Sequence, residues 1–287
     1  MLKIHRPKQL IPRLLFYLTV LVIVVWTIAP YLWLIISSLS YRIDLLQVPL
    51  RWIPPRITLE NYYDLFYSQG STNQNAALFL LALRNSSIIA FSATFICLIL
   101  GVLSAYALAR LKFTGSGVYV VLMMAAQMLP PIAIVIPLYV ILRYLNIFDT
   151  HLGLILVYLS FILPLVVWLM RSYFASIPSE LEDAARIDGC SRLGALFRVV
   201  LPLAGPGLVS VAVFAFIAAW NEYLYAFILT TVTAKTLPVL IGEFSTKLGL
   251  EYLRIAAAGV LAGLPPVILA LIFQRFIVQG LTAGAVK

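Results

Sequence analysis

Five ionisable side chains fall within ten residues in the run Glu180-Leu181-Glu182-Asp183-Ala184-Ala185-Arg186-Ile187-Asp188-Gly189. Ser179 and Glu182 fit the S-x-x-E capping box, in which each side chain satisfies a backbone donor at a helix start. Pro178 stops the preceding helix from running on. Gly189 can adopt the left-handed conformation that ends a helix. The run therefore predicts a helix of two to three turns, with Leu181, Ala184, Ala185 and Asp188 sharing one face at i, i+3, i+4 and i+7. That face is small and partly apolar, which suits a cleft in another protein. Its chemistry is recognition, not catalysis.

The surroundings of this run are those of a membrane protein. The 287 residues are 63% hydrophobic and only 11% charged, with a mean hydropathy of +1.03. A soluble domain is about half apolar and about a quarter charged, so only a polytopic membrane protein fits. The net charge of +9 reads as positive-inside anchoring and attraction to anionic lipid headgroups. No basic run or aromatic-basic module points to nucleic acid. Cys97 lies in an apolar span and Cys190 in a polar loop, so no disulfide framework is expected. His5 and His151 stand alone, without metal-ligand spacing.

A span needs about 20 mostly apolar residues. Six stretches qualify, at 14–39, 86–109, 117–142, 152–172, 203–231 and 255–278. The expected fold is thus all-α with six transmembrane helices and the polar helix between the fourth and fifth. Domain boundaries follow: an N-terminus of 1–13, a first helix at 14–39, and an outer loop at 40–85 with a short surface helix around Thr58–Phe66. A core of 86–278 contains the polar loop 173–202, and a tail covers 279–287. Lys and Arg number twelve on the side of both termini and the 173–202 loop, against eight on the other. This predicts that the termini and that loop are cytoplasmic. Pro30, Pro130, Pro131, Pro137, Pro164, Pro206, Pro265 and Pro266 fall in the spans. Broken helices are tolerated at membrane depth where protein or a water-filled cavity satisfies the backbone, as in a pathway that opens and closes.

Within the spans Glu222 is the only charge placed deep, and an intramembrane carboxylate is a functional candidate by default. It either lines a solute path with Asn221 and Tyr223 or pairs with a basic group of a partner subunit. Asn85 and Gln127 are further polar candidates, each equally able to cross-link helices. No G-x-x-x-x-G-K-[ST] occurs, since no lysine follows a glycine. The chain therefore lacks a phosphate-cradling loop of its own, and there is no G-x-S-x-G. Transport, channel formation, or a receptor or scaffold role remains.

Glu182-Asp183-Ala184-Ala185, Asp188-Gly189, Phe197 and Pro202 resemble the pattern E-x-A-A-x-x-D-G…F…L-P. This is the signature loop of permease subunits of binding-protein-dependent ABC importers. Gln274-Arg275-Phe276 with Gly280-Leu281-Thr282-Ala283-Gly284-Ala285-Val286-Lys287 resembles the tail of the maltose-type sugar permeases. Trp220-Asn221-Glu222-Tyr223 resembles the W-N-E-[FY] of the same group, with weaker matches at Thr58-Leu59-Glu60-Asn61-Tyr62, Gln127-Met128-x-Pro130 and Thr236-Leu237-Pro238-Val239. The chain departs from the motif at Asp183, where its first alanine stands, and at Cys190.

The resemblance implies a prokaryotic inner-membrane sugar permease that pairs with a second, homologous permease. It implies two ATPase subunits that bind the ATP and Mg, and an extracytoplasmic sugar-binding protein that meets the loop 232–254. Helix 180–188 would be the coupling helix, with Glu182, Ala184, Ala185, Asp188 and Gly189 as its coupling residues. Glu182 would act either as cap partner or as an outward contact to a basic ATPase residue. Gly280, Leu281, Thr282, Ala283 and Gly284 would reach the ATPase dimer. Other readings are a permease for a polyol or glycerol phosphodiester, an ion-coupled secondary transporter with Glu222 as its ion site, and a scaffold or sensor subunit.

Overall fold

A computed structural model describes residues 10–45, 47, 52–67, 73–111, 113–244 and 252–283, with side chains for all of these but 10–12, 73–75 and 280–283. In chain order the helices are α1 (Leu10–Ser38), α2 (Arg42–Leu45), α3 (Glu60–Tyr67), α4 (Asn73–Arg110), α5 (Ser116–Gln127), α6 (Pro131–Tyr144) and α7 (His151–Ser176). They continue as α8 (Ser179–Ile187), α9 (Arg192–Ala195), a π-helical segment at Leu196–Val200, α10 (Leu201–Leu203), α11 (Gly205–Trp220), α12 (Leu224–Leu229), α13 (Leu237–Glu243) and α14 (Tyr252–Ala283). No strand occurs among the described residues.

Four helices are long and apolar enough to cross a membrane, and six spans result if each of two bent pairs counts as one. The first pair, α5 and α6, bends by 97° where a single span 117–142 was expected. The cause is local: Pro130 and Pro131 follow the turn at Met128, and Pro130 is extended at φ −65°, ψ 129°, as a residue before proline prefers. The second pair, Arg192–Leu203 and Gly205–Trp220, bends by 82° at Ala204, ahead of Pro206 in the first turn of α11. Helix also stops at Trp220 and restarts at Leu224, so the expected span 203–231 is interrupted twice. In contrast α4 is longer than expected. It starts at Asn73, inside the predicted outer loop 40–85. Its apolar part, Ala76–Arg110, spans about 50 Å at 1.5 Å per residue, well beyond the ~30 Å hydrocarbon layer.

The chain divides into two compact units. One holds the residues up to Ala76 together with Ile241–Ala262. Here the Thr58–Tyr62 motif acquires a physical role. Asn61 Nδ2 donates to the carbonyls of Ser38 (2.9 Å) and Ser40 (3.1 Å), which the end of α1 leaves without helical partners. Tyr62 Oη bonds Ser38 Oγ at 2.7 Å, and Thr58 Oγ1 accepts from Glu60 N at 3.1 Å. Arg254 reaches Asp64 at 3.7 Å. None of the most apolar stretch of α1 is buried within the chain.

The second unit holds Ala77–Leu240 and Gly263 onward. Its axis is α7, capped by Thr150 Oγ1 on Gly153 N (3.1 Å). Tyr158, Ile162, Val166, Met170 and Phe174 recur every fourth residue and are fully buried, giving α7 one continuous packed stripe. Small residues of α4 (Ala82, Ala90, Ala93, Ala105) are buried as well. In lipid, helix association rests on such close packing and on interhelical hydrogen bonds. One of these bonds is Ser210 Oγ to Phe276 O at 2.6 Å.

Candidate functional site

The polar helix forms where the residue pattern places it, but its start is built differently. Pro178 is the N-cap, extended at φ −55°, ψ 134°, with no side-chain cap bond, so the capping box does not close. Glu182 instead turns inward and is 8% exposed. Its Oε2 lies 3.3 Å from Arg110 Nε, and its Oε1 accepts from Tyr106 Oη. Arg110 Nη2 donates to Ile177 O at 2.6 Å, and Tyr106 Oη lies 3.3 Å from Arg192 O. Tyr106 in turn meets the Phe174 ring edge-to-face. Glu182 is thus neither a cap nor an outward contact. A cap donor inside the chain was the weaker attraction once a buried arginine stood within reach. Tyr106 and Arg110 lie some seventy residues upstream, and helix-local spacing carries no signal for them.

The C-terminal end of α8 follows the sequence reading. Gly189 has φ +91°, its N–H bonds Arg186 O (3.1 Å), and Cys190 N–H bonds Ala185 O (3.0 Å). This is the paired bond pattern of a Schellman end. Ser191 then caps α9 on Gly194 N at 3.1 Å. The π-helical segment that follows has its cause in Pro202. A proline has no N–H and its ring clashes with the carbonyl four residues back, here Arg198; the wider turn relieves this, with Leu201 N–H reaching Leu196 O. Leu181, Ala184 and Asp188 are exposed and Ala185 is half-buried. The structure adds Ile187, which is 87% exposed, and Leu193 and Phe197 further along the loop are exposed too. Ile187 was legible only as an apolar residue closing an otherwise polar helix.

The expected solute-path residues separate into two groups. Asn85 is buried and fully engaged: Nδ2 donates to Thr233 O and Lys235 O, both at 2.9 Å, and Oδ1 faces His151 Nε2 at 2.7 Å. With both amide protons on carbonyls, Oδ1 must accept, so the His151 tautomer assigned here carries its proton on Nε2. Asn85 is therefore a clamp on the segment after α12, and His151, which looked isolated in sequence, is part of it. Ser86 Oγ accepts from Leu237 N at 2.8 Å. Asp149, at φ +56°, holds the same segment. Its carboxylate accepts from the backbone N–H groups of Thr231, Val232, Thr233 and Ala234 and from Thr231 Oγ1, at 2.7–3.1 Å. Partial burial pushes the Asp149 carboxyl up, but these hydrogen bonds outweigh it and hold the carboxyl well below its usual range. A lowered folded value means a grip that is complete above the ordinary carboxylate range near pH 4. It is lost only as pH falls through the lowered value.

Glu222 is also consumed by the fold. Its Oε1 accepts from Tyr225 N (2.8 Å), and its Oε2 from Ala226 N (3.0 Å) and Tyr158 Oη (2.9 Å). The carboxylate caps α12 and ties it to α7. The interruption at Trp220 leaves helix N–H groups unpaired at membrane depth, and a carboxylate next to them is the stabilising neighbour. Glu222→Gln is expected to cost about 1–3 kcal/mol of stability, because an amide cannot accept on both atoms. The measurement is thermal denaturation of the detergent-purified assembly; an unchanged melting temperature would refute the cap.

Gln127 is exposed and donates to Phe161 O at 2.6 Å. Asn221 and Tyr223 are exposed, and the Tyr223 ring stacks on Phe227 at 5.4 Å and 14°. Helix α14 runs through Gly280, Leu281, Thr282 and Ala283; Gly284 lies outside the described residues. No group of three or more His, Cys, Asp or Glu able to hold a metal occurs among the described residues.

Comparison with known proteins matches residues 97–283 to a family described as the binding-protein-dependent transport system inner membrane component. The chain is 40% identical over 268 residues to the trehalose transport system permease protein SugB of Mycobacterium tuberculosis, covering 92% of this chain and 94% of that one. It is 38% identical over 259 residues to the sulfoquinovosyl glycerol transport system permease protein SmoH of Agrobacterium fabrum (90% and 88% covered). The fold matches a chain of a bacterial ABC transporter involved in import of the acidic polysaccharide alginate. There the TM-score is 0.76 at 22% identity, over 96% of this chain and 99% of that one.

Proposed function

This chain belongs to the binding-protein-dependent transport system inner membrane component family and is a permease subunit of a sugar ABC importer, within which we propose that α8 is the coupling helix. The observation that carries the proposal is the shape of that helix. It ends on a left-handed glycine and presents Leu181, Ala184 and Ile187 outward, with Leu193 of α9 and Phe197 of the π-helical segment also exposed. An apolar, protruding surface on an otherwise polar loop fits a groove in a partner. The partner is an ATPase subunit, which supplies the ATP and Mg site. Because α8 is pinned from below by the Glu182 cluster, movement of the groove moves the helix as a unit. Family membership decides against the ion-coupled transporter, and Glu222 needs no ion to explain it.

In this reading α8 and both chain termini face the cytoplasm. A second, homologous permease completes the pathway and covers apolar surface such as that of α1. The segment held by Asp149 and Asn85 opens the outer loop 232–254, which meets a sugar-binding protein. Asn221 and Tyr223, with the stacked Phe227, are the residues left free to face a sugar, since aromatic faces and amides suit rings and hydroxyls. Gly280 to Gly284 extend toward the ATPase dimer, by resemblance to the maltose-type tail. The relatives named for trehalose and for sulfoquinovosyl glycerol support a glycoside as substrate, with a polyol aglycone within its range.

The test is the energy source. Uptake by reconstituted assembly with its binding protein is expected to need lumenal ATP and to persist when ionophores collapse every ion gradient. Uptake that follows the gradient and ignores ATP would overturn the reading.

A further inference from the structure

We infer that Tyr106, Arg110 and Glu182 form a joint through which the coupling helix moves α4 directly. The inference rests on the assignment of α8 as coupling helix and concerns where its movement goes. By chain connectivity α8 leads only back to α7 through Pro178 and on to α11 through α9 and the π-helical segment. Helix α4 is far away in sequence, yet its last turns grip the α8 region at two places. Arg110 holds Ile177 O just before α8, and Glu182 is held inside its first turns. The single Tyr106 proton goes to Glu182, so Arg192 O at 3.3 Å is a near neighbour and not a second acceptor. Contacts before and within a helix resist its sliding, so α4 and α8 move together.

The chemistry of the joint supports this role. The Arg110 and Glu182 side chains are 12% and 10% exposed. A buried ion pair adds little net stability compared with well-packed apolar residues, but removing one partner is costly. The Arg110 Nε contact is an ion pair without a well-aligned hydrogen bond, and Tyr106 supplies the directional bond that fixes the carboxylate. These three are positioning residues: Glu182 acts on transport through α4, not by touching an ATPase.

The experiment measures sugar imported per ATP hydrolysed, in proteoliposomes holding the complete assembly and its binding protein. Glu182→Gln and Arg110→Gln are expected to lower this ratio at least about tenfold, given the penalty for an unpaired buried charge. Tyr106→Phe keeps the ring against Phe174 and leaves the charges balanced, and is expected to lower it about tenfold, the low end for loss of one hydrogen bond to a charged group. The double exchange Arg110→Glu with Glu182→Arg is expected to recover much of the ratio lost in either single exchange. Gly189→Val runs in parallel. If it imports normally, the coupling-helix reading fails and the joint fails with it. If it is inactive while Glu182→Gln and Tyr106→Phe import at wild-type ratio, the joint alone is overturned. Failure of every joint variant to assemble would assign the cluster to folding and also overturn the proposal.

Discussion

Gly189→Val abolishes sugar uptake while the protein still inserts and assembles in the membrane. The reason is backbone conformation, not space. A Cβ at Gly189 would meet nothing within 4 Å, but φ is +91°. A residue with a side chain pays about 1–2 kcal/mol in the left-handed region, and a β-branched one is a genuine outlier there. Valine relieves the strain by unwinding the last turn, which frees the Ala185 and Arg186 carbonyls that Cys190 and Gly189 now satisfy. Ile187 and Asp188 leave their places on the presented face, and the path to Phe197 shifts. Close fits to a moving partner do not survive such a change. Asparagine tolerates the left-handed region and alanine does so less well, so uptake is expected to fall in the order Gly, Asn, Ala, Val. Uptake normalised to membrane-inserted protein reads this series. Wild-type uptake by the valine variant would remove α8 from the coupling role.

Asn85→Leu is expected to produce the second large effect, a loss of stimulation by the binding protein together with a lower melting temperature. Leucine has a similar volume but leaves Thr233 O, Lys235 O and His151 Nε2 without the partner they now have. Each buried polar group left unsatisfied costs about 1–3 kcal/mol. Asp149 and Ser86 still hold neighbouring atoms of the segment, so the segment loosens and is not lost. A loosened outer segment docks a binding protein poorly, whereas the coupling helix is untouched. Melting and stimulated ATP hydrolysis are measured on the same preparation. A leucine variant that melts and responds as wild type would return Asn85 to the solute-path candidates.

The legible part of the molecule was what depends on neighbours in sequence. Composition and apolar runs located the long helices, and Gly189 declared the end of α8 because few residues other than glycine take φ near +90°. Prolines marked both bends, although not their angles, since a proline breaks a helix without stating where the next piece goes. What sequence leaves open depends on distant partners or on where a helix breaks. Ser179 and Glu182 matched a local capping rule, yet Glu182 was drawn to Arg110 and Tyr106 from another helix. Sequence offers Glu222 a solute path or a partner's basic group, because the interruption at Asn221 that gives it N–H groups to cap lies inside a run long enough to be one span. Asp149 carries no sequence signal because its partners lie in the segment after α12, and His151 reads as isolated because Asn85 approaches it from another helix.

If this chain turns ATP hydrolysis by partner subunits into sugar import, the ATPase activity of the assembly must respond to the loaded binding protein. The complete assembly is reconstituted in proteoliposomes, and hydrolysis is followed with no binding protein, with unloaded binding protein, and with binding protein loaded from a panel of glycosides. Hydrolysis is expected to be low in the first two cases and to rise clearly with one class of loaded binding protein, the sugar producing the rise being the substrate. Hydrolysis that is indifferent to loaded binding protein across the panel, or failure of any ATPase subunit to co-purify with this chain, would contradict it.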